Sequence, residues 1–212
     1  MNEISDGRLL RGARSRQAVT RHAADIASVD GLGGLSFGRL ADDLGISKAG
    51  IQTLFRTKER LQLATVAAAA EIFTDRVIRP AEEAAEGAPR LRALVAAWLD
   101  YAAEPVFPGG CFWSATLPEF DSRPGPVRDA LIEQHRGWIA LLTREAENAA
   151  AAGELPGAEP GLAAVQLAAV LTATNIALRL GDSSSLDTAR RIVDGMLGEP
   201  PRPATQRTRK TR

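Results

Sequence analysis

The repeat of apolar residues at helical spacing along almost the whole chain is the feature that most restricts its fold. Apolar side chains recur every three or four residues, as they do where a helix buries one face, and no segment alternates with the period of two typical of strands. Alanine and leucine, which favour helix, dominate these segments. The sequence therefore predicts an all-α protein.

Capping residues and helix breakers divide this pattern into separate helices. Ser36, Ser47, Thr57 and Ser185 are suited to cap helix N-termini, and glycines or prolines follow most of the apolar segments. The predicted helices cover residues 14–30, 37–44, 48–55, 58–78, 90–103, 111–120, 127–152, 161–180 and 185–197.

The charge distribution indicates three regions. Residues 1–60 contain 10 Lys or Arg against 7 Asp or Glu, residues 61–201 contain 11 against 19, and residues 202–212 contain 5 against none. Basic ends around an acidic middle suit a polyanionic partner, although a solvated tail explains the last segment equally well. We place boundaries after residues 60 and 198 and predict that 199–212 is a disordered basic tail.

Several classes of protein are disfavoured. With one cysteine, Cys111, the chain cannot form an internal disulfide. Its two histidines lie in different predicted domains, so a cluster of metal ligands is not expected, and no cofactor is expected either. No signal peptide or membrane-spanning segment is recognisable, so we expect a cytoplasmic protein without membrane contact. No paired nucleophile and base and no phosphate-binding glycine loop is present, which argues against an enzyme.

Residues 36–55 hold two short predicted helices joined by a tight turn at Gly45, for which we expect a positive φ. Leu40, Ala41 and Ile51 belong to the apolar faces with which the two helices meet. The other face of the second helix carries short side chains and no acid, so it can enter a DNA major groove. An ordinary helix pair with a polar outer face is the alternative interpretation. The outward residues are Lys48, Ala49, Gly50, Gln52 and Thr53.

The segment from Ala18 to Leu63 resembles the TetR (tetracycline repressor-like) family of transcriptional regulators. The resemblance is gapless and includes Ala-Ala-Asp-Ile-Ala at 23–27, Leu-Gly-Ile-Ser-Lys at 44–48 and Lys-Glu-Arg-Leu at 58–61. Gln52 and Leu54 depart from the family, which usually has Tyr at the first position and His or Tyr at the second. Family rules for base recognition are therefore not transferred to this chain.

The resemblance implies a DNA-binding domain at 1–60, a regulatory domain at 61–198, and roles for individual residues. Ser36, Arg39 and Lys58 would contact phosphates, and Ser47 would cap a recognition helix whose N-terminal amides face the backbone. Lys48, Ala49, Gly50, Gln52 and Thr53 would face base edges or sugars of double-stranded operator DNA. A basic arm with Arg8, Arg11, Arg14 and Arg16 would reach the DNA backbone or minor groove. For Arg8 and Arg11, a solvated arm is an equally good interpretation.

In the resembling family the last two helices form a four-helix dimer interface. Here the helix from Leu162 to Leu180 and the helix from Ser185 to Leu197 repeat apolar and small residues at helical spacing. We predict that these two faces, the second formed by Ile192, Val193, Met196 and Leu197, pair with a second copy, whereas burial within one monomer is the alternative. A homodimer would place two recognition helices about 34–36 Å apart.

Aromatic and polar residues gather in the middle of the chain, as they do in sites for small apolar ligands, although core packing explains any single one equally well. The candidate ligand-binding residues are Phe73, Trp98, Tyr101, Phe107, Cys111, Phe112, Trp113, His135 and Trp138. We therefore predict a ligand-responsive repressor that binds a palindromic operator as a dimer, with an unknown small-molecule effector. A dimeric DNA-binding protein without a ligand is the alternative; a closed aromatic cavity of about 300 Å³ or more would favour the sensor.

Overall fold

The computed structural model describes residues 3–155, 157 and 159–198, so the predicted tail at 199–212 lies outside it. Within this part of the chain every regular element is a helix, which confirms the prediction of an all-α fold. The helices are α1 (Glu3–Asp30), α2 (Phe37–Leu44), α3 (Lys48–Phe55), α4 (Lys58–Phe73), α5 (Ala88–Ala103), α6 (Phe112–Phe120), α7 (Pro126–Ala151), α8 (Pro160–Arg179) and α9 (Ser185–Leu197).

Helices α2 and α3 begin and end where the sequence predicted. The hydroxyl oxygens of Ser36 and Ser47 accept hydrogen bonds from the Arg39 and Gly50 amides, both at 3.1 Å, and so satisfy free donors at the two N-termini. Gly45 ends α2 with φ +63°, a conformation in which a Cβ would be strained. These local interactions fix the sharp turn between the two helices.

Helix α1 is longer than predicted. It begins at Glu3 and not near residue 14, and it ends at Asp30 as expected. Residues 3–13 lack a clear apolar stripe, but they also lack proline, and extending an existing helix is far easier than starting one.

Helix α4 continues beyond Phe73 through a wider π-helical turn, Thr74–Ile78, and then through Arg79–Ala81. The sequence predicted one uninterrupted helix to about residue 78. In an ordinary α-helix the ring of Pro80 would clash with the Arg76 carbonyl, and Pro80 has no amide to donate. The Arg79 amide instead donates to the Thr74 carbonyl, five residues back, and this widens the turn.

A single continuous hydrophobic cluster joins the first three helices to the other six. It includes Val19 of α1, Ile51 of α3, Leu94 of α5, Leu142 of α7 and Val193 of α9. Helix α1 packs against α4 and α6, and α7 packs against α8. The DNA-binding domain predicted at 1–60 thus shares a hydrophobic core with the helices that follow it.

Candidate functional site

The outward face of α3 matches the surface predicted to enter a DNA groove. Of the residues assigned to it, Ser47, Lys48, Ala49, Gln52 and Thr53 are exposed and Gly50 is half-buried. On the opposite face, Ile51 and Phe55 are buried in the core and hold the helix in place. Since no acidic side chain occurs in α3, nothing on the helix itself opposes a phosphate backbone.

The three residues predicted to contact phosphates flank this face, and all are exposed. The Arg39 guanidinium lies 2.5 Å from the Asp30 carboxylate and 3.9 Å from that of Asp43. The Lys58 ammonium donates to the Gly33 carbonyl at 2.6 Å. Both cations therefore have partners within the protein that a phosphate would have to replace.

Arg16 is not part of a free arm. Its guanidinium stacks over the Phe55 ring at 4.7 Å from the centroid and donates to the Leu54 carbonyl at 3.0 Å. It thus supports the C-terminal end of α3 through its packing. Arg14 is exposed on α1, and the side chains of Arg8 and Arg11 lie outside the described residues.

A cavity of about 510 Å³ lies among α4, α5, α6, α7 and α8. Nine residues were predicted to line a ligand site, and six of them line this cavity. Five exposed lining residues mark its opening to solvent: Pro118, Gln134, His135, Gly137 and Thr172. The six are Phe73, Trp98, Cys111, Trp113, His135 and Trp138.

The other three predicted residues, Tyr101, Phe107 and Phe112, lie behind the cavity wall and do not line it. Their rings form a buried cluster, with centroids 6.3 Å apart for Tyr101 and Phe107 and 6.0 Å apart for Phe107 and Phe112. Phe73 joins this cluster to the cavity, because its ring lies edge-on to Tyr101 at 5.7 Å and to Trp138 at 5.3 Å. The cluster thus supports the cavity wall.

The sequence did not identify several residues that line the cavity, most of them small or aliphatic. Each of four helices presents residues at i, i+3 and i+4, the spacing that places side chains on one helical face. This rule applied to the predicted residues Phe73 and Trp138 identifies Ala70 and Gln134. On α8 no ligand-binding residue was predicted, so the rule had no starting point there. The four sets are Ala70, Phe73 and Thr74 on α4 and its continuation; Ser114, Leu117 and Pro118; Gln134, Gly137 and Trp138; and Ala168, Leu171 and Thr172.

Cys111 lies at the N-terminus of α6, where its amide donates to the Asn175 side chain of α8 at 2.9 Å. Burial raises the pKa of the Cys111 thiol, so the group stays neutral near pH 7. Among the described residues no cluster of three or more His, Cys, Asp or Glu side chains is placed to bind a metal ion. A surface groove of about 710 Å³ lies between α1 and α4, and none of its described lining residues is aromatic.

Helix α8 and its C-cap expose a row of large apolar side chains: Leu162, Val165, Ile176 and Leu180, each at least 53% exposed. By length and composition α8 could also cross a membrane, and 33% of its most apolar window is buried. On α9 only part of the predicted face is open. Ile192 is exposed, but Val193 and Leu197 are buried within the monomer, because α9 packs against α8 and α5.

Residues 87–193 match the family model described as the tetracyclin repressor-like C-terminal domain. No curated protein matches the chain. The matched segment begins just before α5 and ends within α9, so it includes most of the cavity and the exposed face of α8.

Solved structures share the fold along nearly the whole chain. A TetR transcriptional regulator from Chloroflexus aurantiacus is similar with a TM-score of 0.80 at 24% identity, covering 87% of this chain and 94% of that chain. A TetR family regulator from Agrobacterium tumefaciens has a TM-score of 0.77 at 18% identity, with 87% and 98% covered. AibR, in complex with isovaleryl coenzyme A and operator DNA, has a TM-score of 0.69 at 17% identity, with 87% and 99% covered.

Proposed function

The chain belongs to the TetR (tetracycline repressor-like) family of transcriptional regulators, and from that premise we propose that it is a cytoplasmic, ligand-responsive repressor that binds a palindromic operator as a homodimer. In this proposal residues 1–60 bind DNA and residues 61–198 bind the ligand and the second subunit. The protein regulates transcription and performs no catalysis. The structure of AibR with isovaleryl coenzyme A and operator DNA is a precedent for both kinds of partner on this fold.

The DNA-binding role is supported by the geometry of α2 and α3. Gln52 and Thr53 are on the exposed face of α3, where the Gln52 amide can meet a base edge. The Thr53 hydroxyl donates to the Ala49 carbonyl at 2.8 Å, so it can accept from a base but not donate to one. The N-terminus of α3, capped by Ser47, offers its first amides and the positive end of its dipole to a phosphate. Ser36, Arg39 and Lys58 are exposed beside it and would bind neighbouring phosphates.

The homodimer is supported by the apolar row on α8. Leu162 and Val165 are three residues apart, and Ile176 and Leu180 are four apart. The two pairs are separated by about three helical turns, so all four side chains lie on one face. Contiguous apolar surface of this kind is uncommon on monomeric soluble proteins. Two copies that cross at this face by twofold symmetry would bury it and would present two recognition helices to two half-sites.

The observation on which the ligand response chiefly depends is that α4 belongs to both sites. Its N-terminal residue, Lys58, adjoins the DNA-binding helices, whereas Ala70 and Phe73 near its other end line the cavity. The helix spans roughly 22 Å between them at 1.5 Å per residue. A ligand that moves the cavity end would reposition α2 and α3, provided that it binds the form with low DNA affinity more tightly.

The alternative, a dimeric DNA-binding protein without a ligand, gives no reason for the cavity. A volume of about 510 Å³ is within the range of sites for small molecules. A chain that only dimerised would be expected to fill this space with side chains, because interiors are close-packed.

Selection of bound duplexes from a random library at near-physiological salt tests the proposal. We expect an enriched palindrome whose half-sites are about one helical turn apart. That palindrome, placed upstream of a reporter, should lower transcription when the protein is present, and a compound that releases the protein should restore it. Binding that depends on salt but not on sequence would contradict operator recognition.

A further inference from the structure

The chemistry of the cavity wall restricts what it can bind. The three tryptophans of the chain, Trp98, Trp113 and Trp138, all line it together with Phe73. Trp113 and Trp138 both lie edge-on to the Phe73 ring, at 6.4 and 5.3 Å between centroids. The wall thus offers extensive aromatic surface, which favours flat apolar molecules.

Among the described residues that line the cavity, none is Asp, Glu, Lys or Arg. A charged ligand would lose its hydration there without gaining an ionic partner, and this loss costs far more than the burial of a neutral group. Cys111, a buried side chain of the wall, is a neutral thiol because burial raises its pKa. The interior is therefore uncharged.

Thr74 and Ser114 are half-buried polar side chains of the cavity wall, and the other hydroxyl, amide and imidazole groups of the wall are exposed. Gln134, His135 and Thr172 are exposed at the opening, and Thr172 already donates its hydroxyl to the Ala168 carbonyl at 2.9 Å, so it can only accept from a ligand. We infer that the effector is an uncharged, largely aromatic molecule whose hydrogen-bonding group lies at the Gln134–His135 opening. This inference rests on the ligand response proposed above.

Calorimetry with three matched naphthalenes tests this inference: 2-naphthylmethanol, 2-naphthoate and (2-naphthylmethyl)trimethylammonium. We expect the neutral alcohol to bind at least about tenfold more tightly than either ion, a difference of about 1.4 kcal/mol. Ala168→Phe, which fills the cavity, should abolish this binding. Ala140→Phe, at an exposed position of α7, should leave it unchanged.

Equal or tighter binding of the quaternary ammonium would overturn the inference and would indicate cation–π recognition by the tryptophans, while leaving the regulator proposal intact. Absence of binding by all three compounds would also overturn it. Operator affinity measured on the same preparation shows separately whether the proposed DNA-binding function fails.

A second site connects the cavity to the DNA-binding helices. The Glu119 carboxylate of α6 accepts hydrogen bonds from two successive amides, Leu32 at 2.7 Å and Gly33 at 2.8 Å, in the short 3-10 turn Leu32–Gly34 that precedes α2. A Cβ on Gly31 or Gly33 would lie within 2.5 Å of this carboxylate. A side chain at either position would force this carboxylate to move away from the two amides.

The same turn is bound from the other side by α4. Lys58 donates to the Gly33 carbonyl at 2.6 Å, and the buried Gln62 amide donates to the Leu32 carbonyl at 2.9 Å. The amides of the turn thus bind α6 and its carbonyls bind α4. Its position, and with it the start of α2, depends on the relative placement of these two helices.

Both helices also form the cavity wall, and on α6 the two sites are adjacent in sequence, because Pro118 lines the cavity and Glu119 follows it. We propose that Glu119 is a positioning residue that transmits occupancy of the cavity to the helix-turn-helix through the turn Leu32–Gly34. This proposal also rests on the ligand response, but it depends on the hydrogen bonds of the turn and not on the class of ligand.

A double-mutant cycle tests it without a known effector, with Ala168→Phe as a permanent occupant of the cavity. In the otherwise unchanged protein, we expect Ala168→Phe to weaken binding to the selected operator by about tenfold. In a protein that already carries Glu119→Gln, adding Ala168→Phe should weaken it by less than about twofold. In a Glu133→Gln background, which removes an exposed carboxylate of α7, the tenfold effect should persist.

A merely structural role for Glu119 would give the same fold-change in both backgrounds, and this result would overturn the proposal. So would an Ala168→Phe protein that folds and binds the operator with unchanged affinity. Circular dichroism identifies any variant that fails to fold, and Ala70→Leu, on the α4 side of the cavity, then replaces Ala168→Phe.

Discussion

Arg39 and Lys58, the cations expected to bind phosphate, both have acceptors within the free protein. Exposed ion pairs such as Arg39 with Asp30 contribute little stability, so a phosphate can replace the carboxylate at low cost. Lys58 donates to a neutral carbonyl of Gly33, a weaker partner than a phosphate oxygen. These contacts hold the side chains near the positions where DNA would meet them.

Lys58 and Gln52 should differ in what they contribute to DNA binding. We expect Lys58→Ala to weaken binding to every sequence by a similar factor and to lower the slope of log affinity against log salt by about 0.9 per subunit, because one phosphate contact is lost. Gln52→Ala should instead change which base is preferred, at about 1–3 kcal/mol per contacted pair.

Salt titrations on the selected operator and on single-base variants of it measure both effects. If Gln52→Ala lowered the salt slope while leaving the order of preferred sequences unchanged, Gln52 would be a phosphate contact. The roles assigned to the two residues would then need to be exchanged.

At the scale of the elements, the N-terminus of α5 is capped by carboxylates from other parts of the chain. The Gly87 amide donates to Glu145 of α7 at 3.1 Å, and the Ala88 amide donates to Glu154 at 3.2 Å. Both acids lie at the positive end of the helix dipole. Burial opposes the charge of Glu145, but the Gly87 amide and the Arg144 and Arg90 guanidinium groups outweigh it and lower the pKa of Glu145.

Glu145→Gln should therefore lower the free energy of unfolding by about 2 kcal/mol at pH 7, since a buried charged acceptor is lost. The folded-state pKa of Glu145 lies below its value in the unfolded chain, about 4.3. Its stabilisation is thus complete above that pH and is lost as the pH falls through the folded-state pKa.

Thermal unfolding from pH 7 to pH 3 measures this effect. We expect a difference in Tm of roughly 4–8 °C between the two proteins near pH 7 that shrinks below about pH 4. A difference that stayed constant over the whole range would mean that the carboxylate is not charged in the folded protein or not responsible for the cap.

At the scale of the whole molecule, the exposed face of α8 should decide whether one or two recognition helices meet the DNA. We expect Ile176→Asp to shift the protein to the monomer and to weaken operator binding by at least about 100-fold, because linked half-site binding is lost. Light scattering gives the mass, and binding assays on full and half operators give the affinity.

Val29→Asp is the matched control, since Val29 is as exposed as Ile176 but lies on α1. It should leave the mass unchanged. A dimer that persisted in Ile176→Asp would place the interface elsewhere on the surface.

The sequence by itself determined the helices and their caps, because both depend on neighbours a few residues apart. Apolar residues every three or four positions defined α2 to α9 to within a few residues, and Ser36, Gly45 and Ser47 fixed the turn between α2 and α3 through contacts within the same segment. The outward face of α3 followed from the same periodicity.

Only the tertiary structure decided which residues meet across the chain. It placed Trp98 on the cavity wall and Tyr101 behind that wall, although the two aromatic residues are three positions apart on the same helix. It buried Val193 while leaving Ile192 exposed. It also brought Glu119 to the amides of Leu32 and Gly33, more than 80 positions away in the chain. Helical periodicity gives the direction of a side chain, but its partner depends on how whole helices pack.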